Sequence, residues 1–525
     1  MRRVLAAFAA LAAAGLALAA AGCGSGSSTT LTVLAGSEVK DLEPLLGKIE
    51  KHTGVRLKLD YVGTIDGTQA IVSGSDHHDL AWFSHSKYLD LLQANGPRRV
   101  HAETPIMLSP VVLGVKHSVA ERLGWANGAK VTWRDIADAA AAGKLRFAMT
   151  NPASSNSGFT ALVGVASAFA GSADALNAGR IDTKGLKELF AGQKLTAGSS
   201  GWLADAFVAS QSQLDGMINY ESVLLTLNAS GRLGERLDLV YPSEGIITAN
   251  YPLLLLNDAR RKEYDKLTAY LLSPDFQKQL MTRTLRRPAT PGVPLDSRLP
   301  RALLVELPFP ASVRTIDAIL FAYLNEARPP AHATFVLDVS GSMGDNHKLD
   351  HLKQALRGLT GLDRTLTGRF STFHNREQLT FIPFNGAVQP AADFTITGTD
   401  TQAGAFAQIR QYVDRLEAGG DTAIYSALIS AYRRAAAEQA TDSGRYYSIV
   451  LMTDGENTQG AGVDDFLDFY RGLPAAAQRI RTFTVLFGDA SPKALGQIAE
   501  VTGGKVFDAR SANLSDVFKE IRGYQ

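Results

Sequence analysis

The sequence predicts an α/β protein of two domains behind a secretory leader, and three observations carry that expectation. At 525 residues the chain is too long for one ordinary hydrophobic core. From Leu31 onward, short apolar runs of strand length alternate with helical patterns. At Arg328-Pro329-Pro330 the helical spacing of Ile316, Ile319, Leu320 and Tyr323 is broken and a new apolar run starts, which sets a boundary near 327–331. Apolar residues make up 45% of the chain and charged residues 20%, with Lys+Arg at 53 against Asp+Glu at 52. No charge excess draws such a chain to nucleic acid or to anionic lipid.

The first element is the leader. Arg2 and Arg3 precede an apolar run from Val4 to Ala21 that ends in small residues, the pattern of a signal peptide over 1–22. No later stretch approaches the roughly 20 consecutive apolar residues of a membrane span. The run closes Ala20-Ala21-Gly22-Cys23, and a tether of Gly and Ser follows, so 23–30 reads as an acylated cysteine with a flexible linker. This resembles a bacterial lipobox, which implies lipidation of Cys23 and a place on the extracytoplasmic face of the cell membrane, held by the lipid alone. One acyl chain anchors only marginally, so two or three are needed. A lone cysteine also excludes an internal disulfide and a four-thiolate zinc site.

Residues 31–326 form the next unit. Strands are expected at Leu31–Leu34, Leu57–Val62, Leu80–Phe83, Val111–Val115, Leu145–Met149 and Leu253–Leu256. Pro44 fits only a first helical turn, so a helix is expected from about Asp41, with Gly36-Ser37-Glu38 in the loop before it. Four stretches resemble extracellular solute-binding proteins: Leu34-Ala-Gly-Ser37, Thr150 to Gly158, Asn219-Tyr-Glu-Ser222, and Ala249 to Leu256 with Leu272 to Gln277. The resemblance covers about residues 30–300. It implies a two-lobed, type II periplasmic-binding-protein-like fold, with crossovers near 106–115 and 245–256. Hydroxyls and backbone N–H groups at helix starts suit a small anion, and Ser154, Ser155, Ser157 and Gly158 supply such a nest, faced by Ser37 and Thr64. Tyr220 and Glu221 join them as candidate ligand contacts. Ser, Thr and Gly are equally ordinary helix caps and turn residues, so both readings stand. Asp76-His77-His78-Asp79 and His85 have metal-binding residue types, but sequence-adjacent histidines diverge and the loop is a solvated one.

The last unit, 332–525, opens on the strand Ala333–Val339 and a helix with Leu349, Leu352, Leu356 and Leu359 on one face. Between them lies Asp338-Val-Ser340-Gly-Ser342. Gly419-Gly-Asp-Thr422 and Ile449 to Asp454 follow in order, with further strands at Leu379–Phe384 and Thr482–Phe487 and an edge at Gly503–Phe507. This is similar to the metal-ion-dependent adhesion site of von Willebrand factor type A domains, which implies a Rossmann-like fold with a mostly parallel central sheet. The resemblance makes Asp338, Ser340, Ser342, Thr422 and Asp454 the metal ligands. Hard divalent cations take oxygen ligands, so Mg2+ is the expected ion, with Mn2+ or Ca2+ as substitutes, and one coordination position is left for a partner's carboxylate. Asp421 is an extra acid beside Thr422, a departure that adds negative charge. Singly, Asp338 and the serines could also be caps of the helix starting near Asp345 or His347.

No phosphate loop, His-Glu-x-x-His or nucleophile elbow is present, so no catalytic residue is expected. The leading expectation is a binding lipoprotein. Its cation domain engages a carboxylate on a protein partner, and its solute-binding-like domain takes a small anion or serves as scaffold. The alternative is a solute-capture receptor of an ABC-type transporter with the C-terminal domain as docking element. A third reading, a metal-insertion assembly factor, requires a partner ATPase that this chain lacks.

Overall fold

The computed structural model describes residues 28–525 except 95, 172–173, 302–303 and 511. The leader and Cys23 lie outside the described residues.

Strands β1 (Thr29–Gly36), β2 (Val55–Val62), β3 (Leu80–Trp82) and β4 (Ala102–Pro105) belong to lobe 1. The chain crosses at Ile106 into lobe 2, where β5 (Met107–Lys116), β6 (Phe147–Thr150), β7 (Gln193–Ala197), β8 (Gly216–Tyr220), β9 (Leu237–Val240) and β10 (Thr248–Ala249) lie. It returns through Asn250-Tyr251 to β11 (Pro252–Leu255), and β12 (Arg287–Pro288) pairs back onto β5. Lobe 1 has strand order β2-β1-β3-β11-β4, and lobe 2 has the path β10-β5-β8-β6-β7 with β9 also on β5. β5 is almost wholly buried and serves several neighbours, which is why its apolar run Val111–Val115 is legible in the sequence. β4, β7, β8 and β9 have no such run, and were not foreseen.

One local departure from expectation has a plain cause. Gly36-Ser37-Glu38 is not an open loop, because Ser37–Leu42 forms a 3-10 turn leading into the helix Glu43–Thr53. Pro44 sits in that helix's first turn, where its missing N–H costs nothing.

The helix Val313–Ala322 and the turn Tyr323–Ala327 lead to the C-terminal sheet. Its strands are β13 (Ala331–Asp338), β14 (Gln378–Phe384), β15 (Ala392–Thr395), β16 (Tyr446–Thr453), β17 (Arg481–Leu486) and β18 (Val506–Asp508), in order β15-β14-β13-β16-β17-β18. All pairs are parallel except β14 with β15, an edge strand that alternates exposed and half-buried residues. Separate apolar clusters fill the two faces, one around Phe335, Phe381 and Phe483, the other around Tyr432, Phe466 and Ile449.

The domains touch on both lobes. Leu366 N–H, at the start of the helix Leu366–Ser371, donates to Gln69 Oε1 of lobe 1 at 2.7 Å. Asn151 Nδ2 of lobe 2 donates to Arg522 O at 3.3 Å, and the Tyr524 ring stands edge-on to Trp202 with centroids 5.0 Å apart.

Candidate functional site

The C-terminal site is built by register. Leu337 pairs with Met452, so Asp338 at the end of β13 and Asp454 just past β16 come side by side at the strands' C-terminal edge, where open α/β sheets place ligands. The Ser340 N–H donates to Asp338 Oδ1 at 2.8 Å, and Thr453 Oγ1 donates to Asp338 Oδ2 at 2.6 Å. The Ser340 and Ser342 hydroxyls lie 3.2 Å apart, and Ser342 Oγ donates to Asp454 Oδ1 at 2.8 Å. Four of the five expected ligands are thus joined by hydrogen bonds. Thr422 is buried on the neighbouring loop, which is held to this one by Gly341 N–H donating to Gly420 O at 2.9 Å. Gly420 has φ +82°, a left-handed conformation that suits glycine.

Burial pushes the Asp338 carboxyl up, against the hydrogen bonds from Thr453 and Ser340. Two carboxylates and three hydroxyls form an all-oxygen set that fits a hard divalent cation, which when bound would supply Lewis acidity toward a partner carboxylate. The serines do not cap: neither Ser340 nor His347, at the two helical starts, makes a side-chain capping bond. Sequence reasoning missed Thr453, which braces Asp338, and Lys348, whose Nζ donates to Asp454 Oδ2 at 2.6 Å. Thr453 lies in the Ile449 to Asp454 motif and Lys348 six residues past Ser342, but both carry residue types that a ligand search passes over. Asp421 is exposed and accepts from Gln459 Nε2 at 3.2 Å, so the extra acid stands at the rim.

The lobes of the N-terminal domain are shut. Asn156 Nδ2 of lobe 2 donates to Glu38 Oε1 of lobe 1 at 2.6 Å, and His85 Nε2 lies 3.1 Å from Thr160 Oγ1. A cavity of about 640 Å³ lies at the cleft mouth, lined by Ser37, Ser154 and Ser155, by Asp66, and by Lys519 and Tyr524 of the C-terminal domain. Ser155 is at the N-cap position of the helix Asn156–Phe169 without making a capping bond.

Three candidate ligand contacts are corrected. Glu221 is fully buried and bound by Arg287, whose Nε donates at 2.8 Å, and by the Tyr241 hydroxyl, so its carboxylate is committed inside lobe 2. Ser157 Oγ is held between Thr150 Oγ1 at 2.9 Å and Ser200 Oγ at 2.7 Å. Gly158 packs the helix on β6: a Cβ there would stand 2.4 Å from Thr150 O. Tyr220 is fully buried on the cleft floor, and Thr64 begins the helix Thr64–Ser73. The histidines do not converge: His78 bonds Asp76 and Asp60, whereas His85 is buried against Thr160.

Residues 31–282 match the family model described as bacterial extracellular solute-binding protein, and residues 334–520 that of the von Willebrand factor type A domain. No curated protein matches the chain. Among solved structures, the periplasmic binding protein AfuA from Actinobacillus pleuropneumoniae, solved with exogenous fructose-6-phosphate bound, is 15% identical; the match covers 57% of this chain and 99% of that one at TM-score 0.45. A periplasmic thiamin binding protein is 13% identical, with 57% and 98% covered at TM-score 0.45. A von Willebrand factor type A protein from Catenulispora acidiphila is 19% identical, with 38% and 43% covered at TM-score 0.29. This chain therefore joins a bacterial extracellular solute-binding domain to a C-terminal von Willebrand factor type A domain.

Proposed function

We propose that the protein is an extracytoplasmic binding lipoprotein, anchored through Cys23, whose type A domain docks a carboxylate-bearing protein partner through a divalent cation while its two-lobed domain captures a small solute. Its role is binding, not catalysis. The observation that supports the docking half is the hydrogen-bonded set of Asp338, Ser340, Ser342 and Asp454 at one sheet edge, with Asp421 and Glu456 exposed beside it. Mg2+ is the favoured ion because the ligands are all hard oxygens. Calorimetric titration of Mg2+, Mn2+ and Ca2+ into the full-length chain in detergent tests this. Saturable binding that Asp338→Ala removes and Asp421→Asn keeps is the expected result; absence of binding to all three ions in the wild type overturns it.

The alternative emphasis, solute capture for a transporter with the type A domain as docking element, is favoured by the shut cleft and its buried polar floor. Both emphases share the solute site.

A further inference from the structure

Strand register brings two arginines of the type A domain to its seam with lobe 2. In β13, Ala331 pairs with Tyr446 and His332 with Gln378. Arg445 and Arg376, just before those partners, therefore come to the sheet's N-terminal edge beside the linker Arg328-Pro329-Pro330. Lobe 2 closes the other side with Lys187 of the helix Thr183–Phe190 and Lys194 of β7. Between them lies a cavity of about 330 Å³. That is at the lower end of the roughly 300–1,000 Å³ of small-ligand sites. It shares no lining residue with the cavity at the cleft mouth, and none of the five oxygen residues of the candidate cation site is on its wall.

Charge on this wall is unbalanced. Five cationic side chains line it, Lys187, Lys194, Arg328, Arg376 and Arg445, and no acidic one does. Two of the five are neutralised from behind: Arg328 by Glu377, with a second bond to Gln525 O at 2.7 Å, and Arg445 by Asp442, whose Oδ2 accepts from Nε at 2.6 Å. Lys187, Lys194 and Arg376 form no salt bridge among the described residues. Arg376 donates only to the carbonyls of Asn325 and Arg328, each at 2.9 Å, and Lys194 Nζ only to Ala191 O at 2.9 Å. Burial pushes the Arg376 guanidinium down, Arg328 and Arg445 push it further, and Glu326 and Glu377 offset only part of this.

Unused donors stand on the same wall. Arg376 Nη1, Arg445 Nη2 and Lys187 Nζ make no hydrogen bond among the described residues, and the Tyr446 hydroxyl is buried without a partner there. Buried polar groups nearly always pair, so the hydroxyl is suited to a ligand. Arg376 also has φ +72°, a left-handed conformation uncommon outside glycine. It is fixed by its N–H donating to Ile396 O at 2.7 Å and by Arg445 Nη1 donating to its carbonyl at 2.6 Å. Guanidinium groups suit oxyanions that accept two parallel bonds, and donors spread over two domains need more acceptor oxygens than the two of a single carboxylate.

We propose that this seam binds a small multivalent oxyanion of the phosphate type, held by Lys187 and Lys194 of lobe 2 on one side and by Arg376, Arg445 and Tyr446 of the type A domain on the other. The site is distinct from the solute cleft and from the candidate cation site. Because its donors come from both domains, the bound anion ties lobe 2 to the type A domain and stabilises their docked arrangement.

The test is calorimetry of the full-length chain in detergent with pyrophosphate, inorganic phosphate and acetate, in metal-stripped buffer at physiological salt so that neither a bound cation nor a diffuse surface charge carries the signal. Saturable binding of pyrophosphate is expected, at least tenfold tighter than acetate. The double change Lys187→Gln with Lys194→Gln, at two exposed side chains, should weaken it at least fivefold, and Tyr446→Phe, which removes one oxygen, at least threefold. Lys184→Gln is the control, since Lys184 lies on the same helix but off the cavity wall, 3.7 Å from Glu188, and should leave binding unchanged. No saturable binding of pyrophosphate or phosphate overturns the proposal, as does a smaller loss in either variant, which would place the anion elsewhere. An equal loss in Lys184→Gln overturns it in favour of diffuse charge attraction, and acetate binding as tight as pyrophosphate overturns the multivalent class.

Discussion

Lys348 is the residue that most distinguishes the candidate cation site. Its side chain is 13% exposed and that of Asp454 is 0% exposed, so their ion pair is shielded from solvent and a divalent ion must share Asp454 with an ammonium. Lys348→Met is expected to tighten Mg2+ binding by about tenfold, about 1.4 kcal/mol, read by calorimetry. Acid sensitivity is set by other buried groups. Burial pushes His85 and His374 down to about 3, and His374 Nε2 faces the Phe370 carbonyl at 3.1 Å. Unfolded histidine binds a proton below about 6.5, the folded ring only below about 3, so stability falls as pH drops through that window. Glu377 has the opposite cause and a lower window. Although burial opposes it, Arg522 and Arg328 hold its carboxyl down at about 2, so its contribution is present above about 4.5 and is lost as pH falls toward 2. Thermal unfolding at pH 5 should show about 2 kcal/mol less stability for each of His85 and His374 than at pH 7, and His374→Gln should weaken that dependence.

At the scale of elements, the helix Asn156–Phe169 is buried nearly all round because it packs on β5, β6 and β8 and against the helices Trp133–Ala141, Thr183–Phe190 and Val313–Ala322. Its glycine seats it on β6, so Gly158→Ala is expected to cost about 1–3 kcal/mol in urea unfolding, more than the small gain in helix propensity returns. Strands with continuous apolar runs, such as β13 and β16, are legible in the sequence because they are buried on both faces. β7 (Gln-Lys-Leu-Thr-Ala) and β4 (Ala-Glu-Thr-Pro) are not, since polar residues pair there only because a partner strand is already placed. The candidate cation site was legible in large part because its oxygen side chains fall in three short motifs. Thr453 and Lys348 escaped because their roles depend on reaching a carboxylate more than 100 residues away.

For the whole molecule, the type A domain spans the cleft mouth. The helix Leu366–Ser371 is fixed to lobe 1 through Gln69, and Tyr524 is fixed to lobe 2, where a Cβ on Gly198 would meet its ring at 2.3 Å. The helix Leu514–Arg522 runs back to the strands' N-terminal edge, where Arg328 Nη1 donates to Gln525 O at 2.7 Å. The cation site lies at the opposite edge, so the two candidate sites face away from each other across one sheet. Lobe opening must break one of the two attachments. Tyr524→Ala is expected to release lobe 2, increasing the radius of gyration in small-angle scattering; an unchanged radius would mean that the Asn151–Arg522 bond and the bond that Arg481 Nη2 donates to Ser210 Oγ of lobe 2 at 3.3 Å suffice.

By itself the sequence determined the two α/β domains and the short motifs whose oxygen side chains meet at one sheet edge, because apolar periodicity and short motifs are local properties of the chain. Only the tertiary structure decided that Glu221, Ser157 and Gly158 are packing residues and that Glu38, Tyr251 and Arg286 meet on the cleft floor. Burial and charge balance arise from residues far apart in the chain, 248 positions between Glu38 and Arg286, and no spacing along the chain encodes such a meeting.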